Sequence, residues 1–182
     1  MYVDGSHIPL LSKIRHVVDM LRAQSENGVV FINISDISKS TNFAYDTIRA
    51  ALRFLEEKGV IVYIGEGICL LTDDVKIFDL KLFEKPITYR MVEKALSYLA
   101  ENNPCSVKQF MQEVEMSTPS QVKIMEILEE SGIITRIRAG RIKYIFVKNK
   151  EPFLQLCKFF GIEVKRVVTL DEFVKAPLGD KK

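Results

Sequence analysis

The chain has 182 residues, 47% of them apolar and 27% charged, which is the balance of a folded globular chain and too apolar for a disordered one. Its three cysteines, Cys69, Cys105 and Cys157, are odd in number and far apart. They exclude a disulfide framework and fit a reducing, cytoplasmic compartment. No apolar run nears the ~20 residues of a bilayer span, and the first residues lack the basic-then-apolar pattern of a signal peptide, so no membrane partner is expected.

The net charge of +2 is unevenly spread. Residues 1–85 carry 10 basic and 12 acidic side chains, and residues 86–182 carry 16 and 12. A polyanionic partner is therefore to be sought in the second half first.

In chain order, Leu10, Leu11, Ile14, Val17, Val18 and Leu21 recur at helical spacing and predict a first helix. Residues 29–32 read as a short strand. Asn33 or Ser35 is placed to cap a helix running through Ser38, and Asn42 to cap a third helix whose apolar stripe is Ile48, Ala51, Leu52 and Leu55. Residues 60–64 and 68–72, joined at Gly65-Glu66-Gly67, form a hairpin. Residues 75–85 are too apolar for a free tether and predict a packed linker or a short helix.

The same order then returns. Met91, Ala95, Leu96, Tyr98 and Leu99 mark a helix, and Ser106 with Gln109 forms a capping box for the next, which ends near Val114. Thr118, Pro119 and Gln121 supply cap, first-turn proline and box partner for a third. Residues 133–138 and 142–147 flank a turn at Ala139-Gly140. In the tail, 152–160 predicts a helix stopped by Gly161, 162–168 a strand, and Thr169 with Glu172 a capping box for a last short helix; residues 177–182 are expected to fray.

The repeat is visible in the residues themselves. Leu55-Glu56-Glu57-Lys58-Gly59-Val60-Ile61 is echoed 73 positions later by Leu128-Glu129-Glu130-Ser131-Gly132-Ile133-Ile134. Each copy is an amphipathic helix ending at a glycine and followed by a β-branched run. The fold class expected is α+β, mostly α, with two tandem copies and a C-terminal α/β appendage.

Ile34-Ser35-Asp36-Ile37-Ser38-Lys39, followed by Tyr45-Asp46-Thr47-Ile48-Arg49-Ala50-Ala51-Leu52-Arg53-Phe54 and the Leu-Glu-Glu-Lys-Gly-Val-Ile run, resembles the winged helix-turn-helix of prokaryotic and archaeal regulators. The second copy is similar, more weakly in its helix-turn-helix. The resemblance implies two winged-helix domains, residues 8–74 and 86–150, with residues 151–176 as an appendage through which such proteins commonly form homodimers. It also implies double-stranded DNA as partner and transcription regulation as function. Carried over by position, it puts Asn42, Tyr45, Asp46, Arg49 and Arg53 near the reading surface of the first copy. In the second copy it points to Ser117, Thr118, Ser120, Gln121 and Lys123.

Two departures qualify this. The first wing, Gly65-Glu66-Gly67, carries an acid and no base, and the second recognition helix ends in Glu126, Glu129 and Glu130. The second wing compensates: Arg136, Arg138, Arg141, Lys143, Lys148 and Lys150 fall within 15 residues that contain no acid. Strand alternation puts Arg136 and Arg138 on one face with Ile137 on the other, and Arg141 and Lys143 together beyond the turn. A basic wing of this kind suits a phosphate ridge or a minor groove. Surface strands also carry Lys and Arg simply to discourage edge pairing. The alternative function is a winged-helix adaptor that binds another protein within a larger complex, for which the acidic first wing and the apolar linker speak.

No enzyme is expected. His7 and His16 are the only histidines, and the usual metal, nucleotide and nucleophile motifs are missing, so no catalytic residue, metal or cofactor is assigned. Asp73-Asp74 sits at a strand end, where a solvated turn is the ordinary role. Phe54 is expected in the core, or in a contact between domains or subunits if exposed.

Overall fold

Amphipathic stripes and caps set the elements of the first half. The computed structural model describes residues 8–175, so His7 and residues 176–182 lie outside the description. Helix α1 (Leu11–Gln24) buries Leu11, Ile14, Val17, Val18 and Leu21, the stripe read from its spacing. Strand β1 (Val29–Phe31) follows, then α2 (Ile34–Thr41), whose N-cap Asn33 accepts hydrogen bonds from the Ser35 and Asp36 backbone amides. Helix α3 (Tyr45–Glu57) buries Ile48, Ala51, Leu52, Phe54 and Leu55. Gly59 then turns the chain at φ 70° into β2 (Ile61–Gly65) and β3 (Ile68–Leu71), and the sheet order is β1-β3-β2, all antiparallel.

Asn42 does not cap α3. It ends α2 in the left-handed conformation at φ 58°, its amide donating to the Ser38 carbonyl, and Ala44 stands at the N-cap of α3 with no side-chain cap. Asparagine suits both roles chemically, and the tight α2–α3 turn selects the one that needs positive φ.

Chain contacts divide the molecule into two units, Met1–Arg90 and Met91–Lys182. The stretch after β3 belongs to the first. It forms two 3-10 helices, Asp73–Asp79 and Lys81–Glu84, with Phe78, Leu82 and Phe83 buried. Arginines of α1 hold it: Arg15 donates to the Phe78 carbonyl at 2.6 Å, and Arg22 to the Val75 carbonyl at 2.7 Å and the Asp79 carboxylate at 2.8 Å.

The same order returns with α4 (Tyr89–Glu101), whose first two residues precede the division, and then in the second unit β4 (Cys105–Ser106), α5 (Val107–Glu113), α6 (Thr118–Glu130), β5 (Ile134–Ala139) and β6 (Ile142–Val147). Its sheet order is β4-β6-β5, again antiparallel. The capping box of Ser106 and Gln109 is present at α5. At α6 the cap is Ser117, so Thr118 is the first helical residue.

In the tail, α7 (Lys150–Phe159) buries Phe153, Leu156 and Cys157, and α8 (Leu170–Lys175) opens with the reciprocal bonds of Thr169 and Glu172. Residues 162–168 are not a strand: only Thr169 bridges to the sheet, at Val147. Asn103 supplies the missing partners, accepting from the Val168 amide at 2.7 Å and donating to the Arg166 carbonyl at 2.8 Å. Side-chain bonds have replaced ladder bonds, which hydrophobic pattern alone does not foretell. The fold class is α+β and mostly helical, and among the described residues no helix is long and apolar enough to cross a membrane.

Candidate nucleic-acid interface

The hairpin of β5 and β6 closes through Gly140-Arg141, with Gly140 at φ 62° and Ala139 opposite Ile142. The turn is thus one residue later than the sequence suggested. A two-residue loop needs positive φ at its first central position, and glycine takes it without strain. Register then sets the faces. Ile134, Arg136 and Arg138 lie opposite Val147, Ile145 and Lys143, so all six side chains share one face. Ile134, Ile145 and Val147 are buried and root that face in the core.

Arg136 is on this face and is engaged within the fold. Its Nε and Nη2 donate to Glu129 Oε2 of α6 at 2.9 and 2.6 Å, and its backbone amide donates to Oε1 at 3.1 Å. Both side chains are partly buried. These bonds hold the Glu129 carboxyl below its ordinary range despite the opposing effect of burial. Arg136, expected from the sequence as a DNA contact, therefore fastens the hairpin to α6.

Beyond it the cations are exposed. Arg138 and Lys143 face each other directly across the strands, Arg141 occupies the turn between them, and Lys148 follows β6. Arg138 Nε reaches only the Gly140 carbonyl, at 3.2 Å. Like charges directly opposite on a sheet destabilise it.

At the start of α6, Ser117 and Thr118 are exposed, Ser120 is half-buried and bonded to the Ser117 hydroxyl at 2.9 Å, and Lys123 is exposed one turn on. The first turn of α6 holds no acid. Gln121, expected from the sequence on the reading surface, is buried. Among the described residues it is the one buried polar side chain, and its Nε2 donates to the Met111 and Val114 carbonyls at 2.9 and 2.7 Å. It closes the C-terminal end of α5, whose last carbonyls have no partner within the helix, and has no donor pointed at a base.

In the first unit, Asn42, Tyr45, Arg49 and Arg53 are all exposed. Arg49 touches Asp46 at 3.4 Å, a long contact between largely solvated groups. The hairpin turn there holds Glu66, and α3 ends in Glu56 and Glu57. Phe54 is buried, with its ring edge-on to Tyr89 at 5.7 Å, so it serves the core. His16 is an exposed residue packed edge-on to Phe43 at 5.9 Å.

Sequence reasoning missed one surface of the first unit. Val29, Phe31, Val62, Ile68 and Leu70 project from the outer face of its sheet, opposite the buried Val30, Ile61 and Cys69. The signal was there: 29–32 and 60–64 are continuous apolar runs where a half-solvated sheet would alternate.

No protein-family model matches the sequence, and no curated protein has a significant match to it.

Proposed function

We propose that the chain is a double-stranded DNA-binding protein, a transcriptional regulator of two tandem winged-helix domains, in which the second unit carries the nucleic-acid contact. The observation that carries this reading is the cluster of Arg138, Lys143 and Arg141 at the exposed tip of the β5–β6 hairpin. Three cations on one tip repel one another, and phosphates are the ligand that relieves the repulsion. Support also comes from the order helix, strand, helix, helix, hairpin in both units, from Lys148 below the tip, and from the acid-free first turn of α6. Ser120 and Lys123, on the first turns of α6, are the side chains proposed for base readout. In the first unit Asn42, Tyr45, Arg49 and Arg53 make a weaker reader, with Glu66, Glu56 and Glu57 around them.

The second reading, a protein-binding adaptor, is favoured by one observation: the apolar outer face of the first sheet. The two readings divide between the units, with nucleic acid on the second and protein on the first. The test is fluorescence anisotropy of the full chain on a random-sequence duplex at two salt concentrations. Binding that weakens steeply with salt supports the DNA reading. No binding at low salt overturns it and leaves the adaptor.

A further inference from the structure

We infer that the outer face of the β1-β3-β2 sheet is a self-association surface, covered by the same face of a second copy of this chain. The proposal stands whether or not the second unit binds DNA.

Cross-strand register puts Val29 beside Leu70 and Leu70 beside Val62 on one face, with Phe31 beside Ile68 two residues along. Past the bulge after Tyr63, Ile64 adds another exposed apolar side chain. Phe31 is 71% exposed, Ile64 56%, Val62 48% and Leu70 36%. At roughly 150–200 Å² per large side chain, these four expose about 300–400 Å² of apolar surface, within the range of the largest patch on a monomer and often functional. An antiparallel sheet with one solvated face ordinarily sets polar residues outward. Here Val29, Phe31, Val62, Ile68 and Leu70 include no polar side chain.

The area and the chemistry select the occupant. Interfaces are about 56–65% apolar, so an apolar core of this size implies about 600 Å² per partner with its polar rim, and about 1,200 Å² over two copies. That clears the ~1,000 Å² expected of a specific interface. A two-fold contact requires a patch that complements itself, which charged surfaces rarely do and an uncharged sheet face does at once. Sheets stack face to face at about 10 Å with interdigitating side chains, and Phe31 and Ile64 are large enough to interlock. An anionic membrane finds no purchase, since the charge at the β2–β3 turn is Glu66.

Sedimentation velocity of the full chain over a concentration series tests this, alongside the double variant Phe31→Glu, Val62→Glu. The expected result is a wild-type dimer and a dimer dissociation constant raised at least about a hundredfold in the variant, with circular dichroism unchanged because both side chains are exposed. Hydrogen exchange on the wild type needs no mutation. Amides of 62–64 should gain protection as concentration rises. A wild-type monomer at every concentration overturns the proposal. A dimer that survives both glutamates, or forms without added protection at 62–64, overturns it too and locates the contact elsewhere, with the C-terminal appendage next to be tested.

Discussion

Arg136 and Glu129 form a three-bond clasp between β5 and α6, two bonds from the guanidinium and one from the arginine's own backbone amide. A partly buried, charge-assisted fork of this kind fixes the hairpin's direction where it leaves the core. Its position separates two roles that look identical in a run of basic residues.

Arg136→Ala is therefore expected to act on stability, by about 1–3 kcal/mol, because Glu129 is left partly buried with only a backbone donor. Urea unfolding of the variant measures this. An unchanged midpoint would contradict the clasp.

The triple variant Arg138→Ala, Arg141→Ala, Lys143→Ala should instead leave stability nearly unchanged and weaken duplex binding similarly across sequences. The slope of log affinity against log salt should become shallower by about 2–3, the loss of two or three phosphate contacts. Anisotropy at four salt concentrations reads the slope, and an unaltered slope would remove the β5–β6 hairpin from the proposed interface.

The clasp also sets a pH dependence. Glu129 has a folded pKa below its ordinary value, with the bonds from Arg136 as the chief cause. A depressed carboxylate contributes stability that is present above its unfolded pKa and is lost as pH falls through the folded one. Thermal unfolding from neutral to acidic pH should show wild type losing more stability than Glu129→Gln. Parallel pH curves for the two would refute the effect.

Gln121→Ala should destabilise the second unit by about 1–3 kcal/mol, since the Met111 carbonyl loses the donor that the side chain supplies and the Val114 carbonyl keeps only the Met116 amide. DNA affinity at a temperature where the variant is folded should not change. A variant as stable as wild type, but weaker on DNA, would return Gln121 to the reading surface.

The three thiols are buried, and burial pushes those of Cys105 and Cys157 up to about 12. None forms thiolate readily at neutral pH, so alkylation should proceed only on unfolding. Mass spectrometry after brief iodoacetamide treatment, with and without denaturant, checks this.

Helices, caps and the repeat were legible in the chain because they obey local rules: a stripe every three or four residues, a serine before a helix, a glycine after it. Leu55 and Leu128, seventy-three residues apart, marked the two units on that basis. Strand alternation placed Arg136 and Arg138 on one face, as the register shows.

Local rules failed where two elements compete for one side chain. Asn42 fits a helix start as well as a left-handed helix end, and the turn between α2 and α3 chose. Gln121 reads as a surface amide until α5 is packed beside it, and Arg136 as one cation among six until α6 brings Glu129 within 2.6 Å. Residues 162–168 have a strand's composition, but strand bonds require a neighbouring edge, and Asn103 met their polar groups instead. Sequence by itself determined the repeated helices and hairpins and where the basic charge lies. Tertiary structure alone decided which of those charges and amides are spent inside the fold and which face solvent, because burial and hydrogen-bond partnership depend on residues far apart in the chain.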